Sequence, residues 1–191
     1  QQVSSAASDV YKRQVIKGSD LDPSGKLFFE DARIKSEPLG DNKFKVSVHE
    51  EVAPGIYDFR HGGKSGTTSS LSFLVSNLEE VTVKNEAITK DKAMLVDHSM
   101  FLNGLAQKGN AHFFKFFLNE NERVFVDCFA ERVNSRMDAL IVVEDPNGKE
   151  VGRSREAVGG DPLIDLSAQK SGEYILRVSD FLTRGGDDYW Y

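Results

Sequence analysis

The sequence predicts an all-β protein that consists of two consecutive β-sandwich domains. Short segments alternate polar and apolar residues, as in Lys43–Val48, and this period of two indicates half-buried strands. Clusters of Gly, Pro, Asn and Asp separate these segments at short intervals, which is typical of strands joined by turns. No segment sustains an apolar period of 3.6 residues, so we expect little helix.

Composition and charge narrow the class of protein. The chain has 191 residues, of which 39% are hydrophobic and 28% charged, so it matches an ordinary globular protein with room for two small domains. The net charge of −6 argues against nucleic acid as a partner and against attraction to an anionic membrane. Because no apolar run approaches the roughly 20 residues of a membrane helix, we expect no membrane insertion.

Residues 1–14 differ in character from the rest of the chain. They contain no apolar stretch of the kind that a signal peptide requires. Residues 4–14 resemble a translated adaptor that recurs at the ends of environmental sequence assemblies. We therefore expect residues 1–14 to be a non-native or disordered leader and exclude them from the fold.

The first domain is expected to span residues 15–78. Its clearest strand is Lys43–Val48, and Pro54-Gly55 opens the next strand, residues 56–60. Residues 61–70 are polar and rich in glycine, which predicts a loop. Alternation resumes over residues 71–75, so a small sandwich is predicted.

Residues 79–92 are charged and lack a strong pattern, and we interpret them as a linker. The second domain is expected to span residues 93–191. Apolar alternation and turn residues predict its strands at residues 99–103, 112–118, 123–130, 139–144, 163–166 and 172–179. The continuous apolar run at residues 139–143 predicts a central strand that is buried on both faces.

The second domain resembles the bacterial pre-peptidase C-terminal domain family. The resemblance rests on the order of several segments: residues 95–104 ending in Asn103-Gly104, the aromatic strand at 112–116, residues 135–140, the turn at 145–148, Asp161-Pro162-Leu163, residues 172–178 and residues 184–189. It implies a jelly-roll-like β-sandwich, with a last strand that is cut short at Tyr191. Residues 21–78 resemble the immunoglobulin-like module that precedes this domain in large exported proteins of planctomycete type.

The family resemblance implies a secreted, periplasmic or cell-surface protein. Such domains are appended to exported enzymes, often peptidases, and do not cut peptide bonds themselves. Some relatives bind calcium, and many begin the second strand with Asp-x-Asp. Here Asn110-Ala111-His112 stands in its place, so both carboxylates are absent.

Carboxylates that end strands are candidate ligands for calcium, which takes six to eight oxygen atoms. The candidates are Asp138, Asp161, Asp165, Asp180, Asp187 and Asp188. Carboxylates at strand ends more often form turns or face solvent. We therefore predict no metal site and no cofactor, with calcium binding kept as the alternative.

The nucleophile candidate is Cys128, the single cysteine, on a segment where Val124, Val126, Cys128 and Ala130 share one strand face. A small buried residue is the favoured interpretation. No Gly-x-Ser-x-Gly elbow is present. We therefore predict no catalytic residue and no enzyme activity in this chain.

Two short motifs resemble known sites without matching them. Residues 62–65 (Gly-Gly-Lys-Ser) lack the first glycine of a phosphate-binding loop, because Asp58 stands there. Residues 49–53 resemble the start of a zinc-protease helix, but Ala53 replaces the second histidine. The four histidines, His49, His61, His98 and His112, lack metal-ligand spacing and are expected at surfaces or edges.

Aromatic residues near the end of the chain could fill the core or form a platform for sugar or protein. They are Tyr174, Tyr189, Trp190 and Tyr191. The core is favoured for Tyr174, and both interpretations stay open for Trp190.

Together these features predict a non-catalytic accessory or interaction module of an exported bacterial protein, attached to a peptidase or another hydrolase. Its partners are then the rest of the parent polypeptide and an extracellular protein or polysaccharide. Two alternatives stay open: a calcium-dependent module that binds an extracellular protein or polysaccharide, and a structural cell-surface repeat.

Overall fold

A computed structural model describes residues 10–15, 22, 24–97 and 99–191. This part of the chain is almost entirely β-structure, and its helical turns are two short 3-10 helices, Lys90–Lys92 and Glu131–Val133. The all-β prediction is therefore confirmed. Within the described residues, no helix has the length and apolar character that crossing a bilayer demands.

The chain divides into two compact units, residues 1–77 and residues 78–191. Residues 79–92, which we predicted to be a linker, are structured within the second unit. They include strand β8 (Glu79–Thr82) and the 3-10 helix Lys90–Lys92, and the carbonyl of Ala87 accepts a hydrogen bond from the Phe113 amide at 2.7 Å. Their charged composition is typical of a linker, but here it arises because both short elements expose most of their side chains.

The described residues of the first unit form two small antiparallel sheets. Its strands are β1 (Val10–Val15), β2 (Lys26–Phe29), β3 (Ile34–Gly40), β4 (Lys43–Val48), β5 (Gly55–Gly63), β6 (Gly66–Thr67) and β7 (Leu71–Val75). One sheet has the order β1-β4-β3. In the other, β5 pairs with β2 along one edge and with β6 and β7 along the other.

Strand β1 includes residues 10–14 of the segment that we predicted to be a leader. It pairs antiparallel with β4 over six residues, from Val10 opposite Val48 to Val15 opposite Lys43. Because β4 is a regular alternating strand, its edge supplies backbone partners for any adjacent extended segment. Residues 1–9 of the predicted leader lie outside the described residues.

The core of the first unit lies between its two sheets. Phe44 and Val46 of β4 are almost fully buried, and they form one cluster with Phe59 of β5 and Phe73 of β7. The rings of Phe59 and Phe73 meet edge to face with centroids 6.5 Å apart, a favourable aromatic geometry. The alternation that predicted β4 and β7 therefore reflects a real inner face.

The described residues of the second unit form nine strands. They are β8 (Glu79–Thr82), β9 (Met94–Leu95), β10 (Met100–Asn103), β11 (His112–Leu118), β12 (Arg123–Asp127), β13 (Ala139–Glu144), β14 (Glu150–Ser154), β15 (Leu163–Ser167) and β16 (Gly172–Asp180). One sheet has the order β14-β13-β16-β11-β9. Two strand pairs, antiparallel β12-β15 and parallel β8-β10, complete the unit.

The core of this unit lies between the five-stranded sheet and the two strand pairs. Phe114, Ile141 and Tyr174 from the five-stranded sheet share one buried cluster with Val124 of β12 and Leu166 of β15. This arrangement is a sandwich, because both layers bury one face against the same core.

Strand β13 carries the continuous apolar run. Ile141 and Val143 are fully buried on its inner face, and Val142 is only 3% exposed on the other. The prediction of a strand buried on both faces is therefore confirmed. The predicted bounds of β11 and β13 coincide with the observed ones, whereas β9 and β14 were not predicted because they are short or polar.

The predicted strand at residues 123–130 ends earlier, at Asp127. A 3-10 helix follows at Glu131–Val133, and Asn134 ends it in the left-handed conformation with φ of 64°. Asparagine tolerates this conformation better than most residues. The turn brings the backbone of residues 130–132 onto a buried carboxylate that is described below.

The last residues form a short ladder with the segment that follows β10. Gly104 exchanges two backbone hydrogen bonds with Tyr191, at 2.9 and 3.0 Å, and the Ala106 amide donates to the Tyr189 carbonyl at 2.8 Å. A side chain at Gly104 would place its Cβ 2.2 Å from the Tyr191 ring. Glycine is therefore required here by close approach rather than by an unusual φ.

Candidate functional site

The second unit contains an apolar slot. Its volume is about 150 Å³. Its walls are strands β10 and β12, and its floor is the inner face of the five-stranded sheet, with Phe114, Phe116, Ile141, Leu176 and Val178. The slot therefore opens the sandwich core between two strands that are not paired with each other.

Strand alternation supplies the lining of the walls. On β12, Val124 and Val126 point inward, and Cys128 continues this face just beyond the strand, while Phe125 is 59% exposed on the opposite face. On β10, Met100 and Leu102 are partly buried and also line the slot. Side chains of successive strand residues point to opposite faces, so every second residue of each strand faces the slot: Val124 and Val126 on β12, and Met100 and Leu102 on β10.

The slot is rimmed by aromatic and charged groups. The rings of Phe101 and Phe129 lie with centroids 6.3 Å apart, and the Arg132 guanidinium lies 4.0 Å from the centre of the Phe129 ring. Asp97 and Asp127 also line the slot, and the Asp127 carboxylate is bound by the Arg132 guanidinium. The lining is therefore predominantly apolar.

Cys128 lies in this lining as a buried thiol. Burial raises the pKa of the thiol far above its ordinary value, and the negative charges of Asp161 and Asp127 raise it further. A cysteine nucleophile acts as the thiolate, which this environment disfavours. The geometry accordingly supports the interpretation of Cys128 as a packing residue.

His112 and Tyr191 form a buried polar contact next to the slot. The His112 Nδ1 lies 2.7 Å from the Tyr191 hydroxyl, and the buried Nε2 has no hydrogen-bond partner among the described residues. Burial lowers the pKa of His112 and raises the pKa of Tyr191 well above its ordinary value. Both groups are therefore held neutral, and the expectation that His112 lies at a surface is wrong.

Asp161, a calcium candidate, is fully buried and serves as a backbone anchor. Its carboxylate accepts hydrogen bonds from the amides of Ala130, Glu131 and Arg132 at 2.8 to 3.1 Å. It also accepts one from the Arg132 Nε at 3.0 Å. These donors occupy both oxygens, so Asp161 holds the turn after β12 in place.

Asp180 plays a similar part at the end of β16. It accepts hydrogen bonds from the amides of Asp138, Leu182 and Arg184, and it pairs with the Arg184 guanidinium at 3.1 Å. Burial raises the pKa of Asp180, but the bonds from Arg184 and the Asp138 amide outweigh it and lower the pKa overall. The carboxylate is therefore ionised and already coordinated by the protein.

The other calcium candidates are dispersed along the surface. Asp138 pairs with Arg155 at 2.7 Å, Asp165 with Arg123 at 2.6 Å and Asp188 with Arg136 at 3.8 Å, while Asp187 is exposed. No group of three or more His, Cys, Asp or Glu side chains in the described ranges is arranged to hold a metal ion.

The two motifs in the first unit also occupy β-structure. Gly62 and Gly63 belong to β5, which turns through residues 64–65 into β6, so no helix follows the glycines. The Lys64 amide donates to Asp22 at 2.9 Å, which anchors this hairpin. His49 follows β4 in a turn, where its Nδ1 accepts the Glu51 amide at 3.2 Å, so residues 49–53 are not helical.

The remaining histidines differ in burial. His61 is 3% exposed, against the expectation of a surface position, and its Nε2 lies 3.2 Å from the Asp22 carbonyl. His98 lies outside the described residues.

The aromatic residues of the platform hypothesis lie in different environments. Tyr174 is fully buried and stacks on Phe116 with centroids 6.1 Å apart, which confirms its core position. Trp190 is 37% exposed and donates its indole N–H to the Val133 carbonyl at 3.2 Å. Tyr191 points into the slot instead. Tyr174, Trp190 and Tyr191 therefore have separate roles in packing and hydrogen bonding.

Sequence reasoning did not find the slot. Each of its walls was predicted as a strand, but nothing in the residue pattern reveals that β10 and β12 remain unpaired with each other. A comparison with protein-family models and a search of curated proteins both found no match.

Proposed function

We propose that this chain is a non-catalytic accessory module of an exported bacterial protein, and that its second unit contributes a protein-binding surface. The observation that carries the proposal is the apolar slot between β10 and β12. An opening into a sandwich core that is lined by hydrocarbon suits recognition of an apolar ligand surface. The parent protein then carries its catalytic domain, a peptidase or another hydrolase, elsewhere.

The chemistry of the second unit supports a binding role. The thiol in the slot has a raised pKa, and the buried carboxylates Asp161 and Asp180 are engaged by backbone amides and arginines. A catalytic nucleophile or general base instead needs a pKa suited to its task. These groups stabilise turns and strand ends.

The resemblance of residues 93–191 to the pre-peptidase C-terminal domain family supports the extracellular part of the proposal. That family consists of β-sandwich modules appended to exported enzymes. A secreted, periplasmic or cell-surface location follows from the same resemblance, as do the rest of the parent polypeptide and an extracellular protein as partners.

Two measurements test this proposal. The purified chain is incubated with fluorescently labelled casein, and we expect no release of fluorescent peptides above the buffer control. Release that disappears in the Cys128→Ala variant would overturn the proposal. Recovery of the complete reading frame is the second measurement, and it should contain a secretion signal and a separate hydrolase domain.

A further inference from the structure

The sequence contains two Asn-Gly pairs, Asn103-Gly104 and Asn147-Gly148. In such a pair the backbone nitrogen of the glycine can attack the side-chain amide of the asparagine, because the glycine has no Cβ to obstruct the approach. Ring closure requires the peptide plane between the two residues to rotate, so the surrounding fold controls the reaction. Both asparagine side chains are exposed, and the two pairs differ in how their backbone is held.

The pair Asn147-Gly148 lies at the tip of the hairpin that joins β13 to β14. The Gly148 amide donates to the Asp145 carbonyl at 2.8 Å, which closes a β-turn with the aspartate, proline and glycine positions that such turns prefer. The Asp145 carboxylate accepts the Asn147 amide at 2.8 Å and the Lys149 amide at 3.0 Å. These hydrogen bonds are all local to residues 145–149.

The peptide plane between Asn147 and Gly148 is held on one side only. Its N–H is bonded within the turn, whereas the Asn147 carbonyl accepts none of the hydrogen bonds found among the described residues. A Cβ built on Gly148 would meet no atom within 4 Å. The plane therefore has open space in which to rotate once the single turn bond opens.

The peptide plane between Asn103 and Gly104 is held on both sides. The Asn103 carbonyl accepts the Val83 amide at 2.9 Å, and the Gly104 amide donates to the Tyr191 carbonyl at 2.9 Å. A Cβ on Gly104 would lie 2.2 Å from the Tyr191 ring, so the ring covers this glycine. Rotation of this plane requires β10 to separate from two neighbouring segments.

We infer that Asn147 is a site of spontaneous deamidation in the folded protein, while Asn103 is protected by its strand. The Gly148 nitrogen loses its proton to hydroxide and forms a bond to Cγ of Asn147. The bond from Cγ to the side-chain nitrogen breaks, and ammonia leaves. Water then opens the five-membered ring: attack at Cγ breaks the new bond and gives aspartate, whereas attack at the backbone carbonyl carbon breaks the original peptide bond and gives isoaspartate.

The products change the turn in two ways. Both place a new carboxylate beside that of Asp145, and isoaspartate also lengthens the main chain by one methylene. The amides of residues 147 and 149 then lose their alignment with the Asp145 carboxylate that now accepts them. We expect the hairpin between β13 and β14 to loosen in the isoaspartyl form.

The test uses the full chain in mildly alkaline buffer, with samples digested by trypsin and analysed by liquid chromatography and mass spectrometry. Cleavage after Lys and Arg places Asn147 in peptide 137–149 and Asn103 in peptide 93–108, so one sample reports both pairs. We expect conversion at Asn147 to be at least about tenfold faster than at Asn103, because Asn103 reacts only when its strand opens. In the chain unfolded by urea, the two rates should converge.

Variants at the turn provide the controls. Asn147→Gln keeps a side-chain amide but would have to close a six-membered ring, which forms far more slowly. It should abolish conversion in peptide 137–149 and leave the rate at Asn103 unchanged. Asn147→Asp supplies the charge without the added methylene, so the deamidated fraction isolated by ion exchange should unfold at a lower urea concentration than this variant, measured by Trp190 fluorescence.

Three outcomes would overturn the inference. One is an unchanged Asn147 in the folded chain over a time in which the urea-unfolded chain converts. Another is equal conversion at Asn147 and Asn103 in the folded chain, which would mean that the fold does not discriminate between them. The third is a rate at Asn147 that does not rise with pH, since the attacking group is the deprotonated amide.

Discussion

Asp161 shows how a single buried carboxylate organises the loop after β12. Three consecutive backbone amides and one arginine converge on it, and its side chain is fully buried. Backbone amides at the 3-10 helix Glu131–Val133 would otherwise lack partners in the protein interior. The carboxylate satisfies them and links this turn to the start of β15.

We therefore expect Asp161→Asn to lower the free energy of unfolding of the second unit by about 3 kcal/mol, because buried hydrogen bonds to a charged acceptor are lost. Urea unfolding followed by fluorescence of Trp190, the single tryptophan, measures this change. Asp165→Asn is the matched control, since Asp165 pairs with Arg123 at the exposed surface, and its midpoint should not move measurably. Equal midpoints for both variants would contradict the anchoring role of Asp161.

His112 predicts a dependence of stability on pH. Burial lowers its pKa in the folded state below the ordinary value of 6.5. A group with a lowered pKa in the folded state favours folding above its unfolded pKa, and this contribution is lost as pH falls below 6.5 towards the folded value.

We expect the Trp190 unfolding midpoint to fall between pH 7 and pH 5, and His112→Asn to remove part of that fall. Tyr191→Phe serves as the control, because it deletes the hydroxyl but retains the buried imidazole, and should therefore keep the pH dependence. A midpoint that changes equally with pH in the wild type and in His112→Asn would contradict this assignment.

Among the elements, the ladder between residues 104–106 and 189–191 determines which side chain lines this end of the slot. It joins the end of β10 to the last residues of the chain, and Tyr191 thereby enters the slot lining. Gly104 permits this approach because any Cβ there would overlap the Tyr191 ring. The missing side chain at Gly104 and the ring of Tyr191 thus determine how closely the two segments of the ladder approach each other.

This geometry predicts a strongly non-additive pair of substitutions. Gly104→Ala should destabilise the second unit by about 2 kcal/mol through steric overlap, whereas in the Tyr191→Ala background the same change should cost little. A double-mutant cycle on urea midpoints gives the coupling energy. Additive effects would mean that the overlap is relieved elsewhere.

The elements also show where prediction from sequence succeeds. Strands with unbroken alternation or a continuous apolar run, such as β4, β11 and β13, were predicted with their observed bounds. Strands β2 and β9 were missed because they are short, and β3 and β14 because their patterns are polar or interrupted. Such strands form because they pair with a neighbouring strand, and their own residue pattern is a poor predictor of strand structure.

For the whole molecule, the two units have separate hydrophobic cores. One buried cluster contains residues of the first unit and the other contains residues of the second, with no member in common. Stability that derives from core packing is therefore expected to be a property of each unit. Trp190 belongs to the second unit.

We predict that Phe44→Ala, in the core of the first unit, lowers the stability of that unit by about 4 kcal/mol, as is typical of large core truncations. The Trp190 transition should stay unchanged, while far-ultraviolet circular dichroism shows an earlier transition of the first unit. The reciprocal variant Phe114→Ala should shift the Trp190 transition instead. A shift of the Trp190 transition by Phe44→Ala would indicate coupled unfolding of the two units.

The sequence by itself determined the all-β class, the strongest strands and the inner faces of those strands, because alternation and turn residues act locally. It also predicted the core position of Tyr174 and the burial of Cys128. Tertiary structure alone decided that β8 belongs to the second unit, that Asp161 anchors a turn and that β10 and β12 face each other across an open slot. These features depend on which distant backbone groups meet, and a linear pattern of side chains does not encode that pairing directly.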